Sequence, residues 1–370
     1  MPEIRYVEGR VLYDNPKPHV RSRHSYFPGL AKLPSGDLLA TLMIGEAFES
    51  ADGTTYLARS SDLGRTWSLE GKLYDASALP VPMSDCIKAT LLTDGTLLGM
   101  GYRFWREDPE QSIAIPETGG VLAGEDVVAF SEDSGHSWTQ PQPIPRSRPE
   151  LYEISGPAVQ LRSGAVVAIG ALYKMPDGSS PSGQKGVLIR STDRGRTWDD
   201  STVFFEAGEG NLTPFEPRLT EMQDGRLVAL VWAYDQATDR HYSNHVTVSE
   251  DDGRTWSKPI DTGVMGQASN LIWIGGDRLL TIHAHRGDEI GVYVRVVDFA
   301  GNNWRVLSET VIYGQAAKQT VEGQSAAEMF KSLRFGQPSL LALGDGEFLA
   351  AHWCVEEWQG KIRVHHIAVD

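Results

Sequence analysis

Six residues fall at matching places along the chain, each a short way ahead of an apolar run and a Gly turn: Tyr26, Asp85, Glu153, Glu216, Gln267 and Gln337. Arg23, His24, Lys88, Arg103, Arg218 and Arg334 lie close to them in sequence. Hydrolysis of a glycosidic bond requires two carboxyl groups flanking it, one as acid and one as nucleophile or base. Glu216 is the central candidate, and Asp85 is the second. A short acidic segment, Gly45–Asp52, offers Glu46, Glu49 and Asp52 for the acid role; Glu46 is the candidate among them, and Glu49 reads as a solvated loop residue. His24 with Tyr26 and Arg23 forms a different set, a base beside a cation, which suits a lyase acting on a uronate. Planar amides, cations and the indole face of Trp353 suit a substrate rich in hydroxyls, with Glu153, Arg103, Gln267, Arg334 and Gln337 among the binding residues. His283 and His285 would share one face of a strand, but no third ligand stands near them, so no metal is expected.

These residues need a scaffold that brings distant segments to one place, and the chain repeats accordingly. Ser-x-Asp-x-Gly-x-Thr/Ser-Trp occurs four times, beginning at Ser60, Ser131, Ser191 and Ser249. In each, Asp can accept from turn amides, Gly can take a positive φ, and Trp can fold back onto the sheet. An apolar strand, a Gly turn and a second apolar strand precede each copy, and this element occurs six times. Six such units predict an all-β chain: a single six-bladed β-propeller of four-stranded antiparallel blades. The blades are expected near 20–70, 84–140, 152–200, 214–259, 266–309 and 334–370. The last lacks an outer strand, which segment 4–14 is placed to supply, closing the ring. A capping-box start predicts a helix over Ser325–Leu333.

The four turns resemble the Asp-boxes of the sialidase (neuraminidase) superfamily, over nearly the whole chain. The resemblance implies a six-bladed propeller with the Asp-boxes at its rim, so Asp62, Asp133, Asp193 and Asp251 are expected to be structural. Phe215-Glu216-Pro217-Arg218 is similar to that family's Asn-Glu-Pro segment, which implies a catalytic place for Glu216. The family's arginine and tyrosine signatures are missing: Tyr26 stands at the first arginine, Trp232 at another, and Gln337 at the tyrosine nucleophile. The resemblance therefore implies a carbohydrate-active enzyme, an exo-acting glycoside hydrolase on a sugar other than a standard sialoside, an acidic one included. A uronate lyase and a non-catalytic sugar-binding propeller are the alternatives.

With 34 basic and 49 acidic residues, the chain carries a formal charge of −15, which argues against a nucleic-acid partner. Two cysteines among 370 residues offer no disulfide framework. No signal segment or membrane span is read in the sequence, so a cytoplasmic location is the expectation. Neither a cofactor nor an oligomeric state is indicated.

Overall fold

The computed structural model describes residues 2–207, 212–287, 289–314, 331 and 333–370. Their strands form six antiparallel sheets arranged as the blades of a ring, and one separate short pair, Ala114–Ile115 with Gly120–Val121. The inner strands are His24–Lys32, Met83–Leu91, the broken pair Tyr152–Glu153 and Val159–Gln160, Leu212–Glu221, Ser269–Gly275 and Phe335–Gly344. Every blade contacts the next, and the sixth contacts the first, so the ring is closed. Ser325–Leu333, where a helix is expected, lies largely outside the described residues.

The second strand of each blade is apolar on both faces because a neighbouring blade covers each face. Leu38–Gly45 is buried at every position, and Leu97–Trp105 at all but its last. The core is accordingly a set of layers between blades; one joins Leu38, Ala40 and Leu42 of blade one to Leu349, Ala351 and Trp353 of blade six. Ile4–Tyr13 pairs antiparallel with Gln359–Val369, from Ile4 opposite Val369 to Tyr13 opposite Ile362. The N-terminal strand is thus the outer strand of the last blade, and the ring shuts with strands from both ends of the chain.

The four Ser-x-Asp turns share one hydrogen-bond pattern. In the first, Asp62 Oδ1 accepts from the Thr66 amide at 2.9 Å and Oδ2 from the Thr66 hydroxyl at 2.7 Å. The Gly64 amide donates to Ser60 Oγ at 2.8 Å, and Trp67 Nε1 donates to the Gly64 carbonyl at 3.0 Å. The glycines are needed for two reasons. Gly195 has φ +85°, and a Cβ there would lie 2.5 Å from Leu98 of the preceding blade. Gly64 likewise abuts Leu349, and Gly135 abuts Leu39. Each turn therefore presses onto the blade before it, at the rim and away from the axis.

Candidate active site

At one end of the hub the six blades surround a hollow. Three blades deliver a side chain to it by the same local device. The inner strands of blades one, four and six each bulge, with register shifts between Tyr26 and Gly29, Phe215 and Arg218, and Gly336 and Ser339. The residue at each bulge precedes a proline and has positive φ: Phe27 (55°), Glu216 (46°) and Gln337 (37°). All three line the hollow. A left-handed conformation at a non-glycine residue costs on the order of 1–3 kcal/mol, a strain that clusters at ligand sites.

Four carboxylates line the hollow: Glu49, Asp85, Glu153 and Glu216. Their surroundings differ. Asp85 is buried and fully engaged, Oδ1 by the amide and hydroxyl of Thr55 and Oδ2 by the hydroxyls of Thr54 and Tyr74. Glu153 is buried, and its Oε2 accepts from the Glu216 amide at 2.9 Å. Burial, and then the nearby Glu216 charge, push the Glu153 carboxyl above the ordinary carboxylate range. Glu216 Oε1 accepts from Gln337 Nε2 at 3.2 Å, whereas its buried Oε2 has no partner among the described residues. Gln337 is held in turn by Lys88, whose Nζ donates to Gln337 Oε1 at 2.5 Å and to the Ser155 carbonyl at 2.7 Å. Burial drives the Lys88 ammonium down to about 7.

Aromatic rings form the walls. Phe27, Phe48 and Trp353 stand together, with Phe48 and Trp353 centroids 5.4 Å apart; Tyr102, Phe104 and Tyr173 form a second group, and Trp232 a third surface.

Several expected residues lie elsewhere. Tyr26 is buried behind the wall, edge-on to Phe48 and Trp353, so Phe27 takes the place expected for it. The cause is the bulge, which swings the pre-proline residue toward the axis. Glu46 is exposed, and with Arg23 it lines a separate groove beside Asp52, Tyr56 and Lys72. Glu49, three residues on, lines the hollow instead. Arg106, whose Nη1 donates to the Glu49 carbonyl at 2.8 Å and Nη2 to that of Gln111 at 2.7 Å, ties this loop down. Burial raises the Glu49 carboxyl. His24 joins blades one and six, Nδ1 accepting from the Gly360 amide at 2.8 Å, so the set suited to a lyase is not gathered in the hollow. Arg103 pairs with Glu125 across its blade, and Arg334 is exposed. Gln267 sits behind the wall and accepts from the Arg286 amide at 2.8 Å.

Arg286, absent from the sequence expectations, is the cation that lines the hollow. Its Nε and Nη2 donate to the Phe335 carbonyl at 2.9 and 2.7 Å. A Cβ on Gly336 would collide with Nη2, so this glycine admits the guanidinium. The signal that could have found Phe27 is the X-Pro step shared by three blades; nothing local marks Arg286. Lys88 and Arg218 lie in the hub but not on the wall. Among the described residues, no group of three or more His, Cys, Asp or Glu side chains could hold a metal ion, and no helix is long and apolar enough to cross a membrane.

Solved structures share this architecture. A protein of unknown function from Dyadobacter fermentans aligns over 99% of both chains, with TM-score 0.75 and 20% identity. The Penicillium chrysogenum alpha-L-arabinanase complexed with arabinobiose aligns over 98% of both, with TM-score 0.65 and 14% identity. A Hadza microbial sialidase aligns with 93% of this chain and 65% of its own, with TM-score 0.64 and 16% identity. Identities this low establish the shared propeller fold and no more. No curated protein matches the chain. The BNR repeat-like domain family matches residues 113–307, more than half of the sequence, and the chain belongs to that family.

Proposed function

We propose that the protein is an exo-acting glycoside hydrolase whose reaction takes place in the hub hollow, with Glu153 and Glu216 as its two working carboxyl groups. One observation carries the reading: both carboxyl groups line one aromatic-walled hollow, where burial pushes the Glu153 carboxyl up and Glu216 Oε2 has no hydrogen-bond partner among the described residues. Glu153, held protonated by burial, is the acid that gives its proton to the leaving oxygen. Glu216, with Oε2 unengaged, is the nucleophile or the base that activates water. Asp85, with both oxygens taken up, orders the wall and moves no proton.

Four carboxylates against the single lining cation Arg286 favour a neutral sugar over an acidic one. A hollow ringed by all six blades suits a chain end rather than the middle of a polymer, which supports exo action. The solved arabinanase of the same fold makes α-L-arabino-oligosaccharides a sensible first panel, alongside aryl glycosides of other neutral sugars and of sialic acid. Glu216→Gln should lower kcat on the cleaved member at least ~10³-fold with folding unchanged by circular dichroism. Full turnover by that variant overturns the assignment.

A further inference from the structure

One sector of the hollow differs from the rest. Phe27, Met43, Phe48 and Trp353, from blades one and six, line it together. The rings of Phe27, Phe48 and Trp353 are mutual neighbours, with centroids 5.3, 6.4 and 5.4 Å apart and planes inclined at 69°, 83° and 48°. Three rings tilted against one another make a cup rather than one flat platform for the face of a pyranose, and a cup suits a compact apolar group. The one N–H among these four side chains, Trp353 Nε1, is fully buried and so does not reach the hollow. A hydroxyl, ether or amide placed in the cup would lose its water and gain no hydrogen bond from these side chains, which is unfavourable.

The polar groups gather on the far wall. In a ring of six, blade one faces blade four across the axis, so Phe27 and Glu216, each set by a bulge ahead of a proline, stand on opposite sides of the hollow. Glu153 accepts from the Glu216 amide, and Gln337 donates to the Glu216 carboxylate. A sugar with its anomeric carbon at Glu216 therefore turns the remote edge of its ring toward the cup.

We infer that the sugar taken by the hollow is a 6-deoxyhexose, with its exocyclic methyl seated among Phe27, Phe48 and Trp353. A methyl joined directly to ring carbon is compact and wholly apolar. O-methyl and N-acetyl groups bring an oxygen or an amide that the cup leaves unpartnered, and an ordinary hexose brings the hydroxyl of its hydroxymethyl group. Which edge of the sugar meets the cup rests on the hydrolase reading; the cup itself does not.

The test uses the full chain and pairs of nitrophenyl glycosides that differ only in that exocyclic hydroxyl. These are fucosides against galactosides, rhamnosides against mannosides and quinovosides against glucosides, matched in anomer and in D or L series. In whichever pair is cleaved, the deoxy member should have a kcat/KM ~10–100-fold higher, the range that one hydroxyl is worth against an apolar pocket. Equal or better turnover of the parent hexoside overturns the proposal. Phe27→Asn places an amide in the cup at a positive φ that Asn tolerates, and it should cut the preference at least ~5-fold. An unchanged preference in that variant would also overturn the placement. If none of these glycosides is cleaved, calorimetry with the free sugars decides. Tighter binding of the deoxy sugars without turnover keeps the cup and removes the hydrolase reading, whereas equal binding, or none, overturns the cup.

Discussion

Glu153 and Glu216 are neighbours in one hollow, and the different roles proposed for them rest on the burial of Glu153. A carboxyl with a raised pKa is protonated further up the pH scale, so a reaction using Glu153 as acid loses rate as pH rises through that raised value. We expect Glu153→Gln to reduce kcat ~10²–10⁴-fold and to erase the alkaline limb of the pH–rate profile, an effect that a purely structural role would not produce. The chain from Lys88 through Gln337 to Glu216 makes Gln337 a positioning residue. Gln337→Leu should lower kcat more than it alters KM, because Glu216 loses the one side-chain donor it has among the described residues. An unchanged kcat, or a loss confined to KM, would show that the contact is idle.

At the level of elements, the rim turns and the axial bulges spend backbone strain in different ways. In the turns, the left-handed residues are relieved by a full set of local hydrogen bonds and by contact with the preceding blade. Gly195→Ala should therefore destabilise the fold, since the new methyl meets both an unfavourable φ and Leu98. We expect a loss of ~1–3 kcal/mol in urea unfolding, with the activity of the remaining folded protein unchanged. Hydrogen bonds from Thr66 hold the Asp62 carboxyl down to about 2. Because its folded pKa lies below the unfolded one, its stabilising effect is present at neutral pH and is lost as pH falls from about 4 toward 2. Asp62→Asn should leave a protein whose urea midpoint varies less with pH in that window. The bulges at Phe27, Glu216 and Gln337 have no such rim function; they aim side chains at the axis.

For the whole molecule, closure by Ile4–Tyr13 determines how the ring comes apart. Removing these residues bares the edge of Gln359–Val369 and uncovers Leu12 and Tyr13 contacts in the layer between blades six and one. An exposed edge strand of this length invites pairing between chains. The truncated protein should melt at least ~5 °C lower and form soluble aggregates, seen by light scattering. A monomer with unchanged Tm would show that the ring closes without its outer strand. Leu38→Ala, in the same layer, should cost about 2–5 kcal/mol.

The repeats by themselves determined the number of blades and the N-terminal closure, while the rim position of the Asp turns was implied by the family resemblance. These are local facts, because a Ser-x-Asp-x-Gly turn satisfies its own amides and a strand pattern shows its own faces. Asp85, Glu153, Glu216 and Gln337 could be placed in the hollow from their register within the repeat, and Trp353 from its suitability as a stacking face. Register alone misplaced Tyr26 and Gln267; at Tyr26 a one-residue bulge reverses which side chain reaches the axis. Only tertiary packing separated Glu49 from Glu46, brought Arg286 over Gly336 and withdrew His24, Arg23 and Arg334 from the hollow. Burial, which pushes the Glu153 carboxyl up, is a sum over side chains from several blades, and no single stretch of sequence contains it.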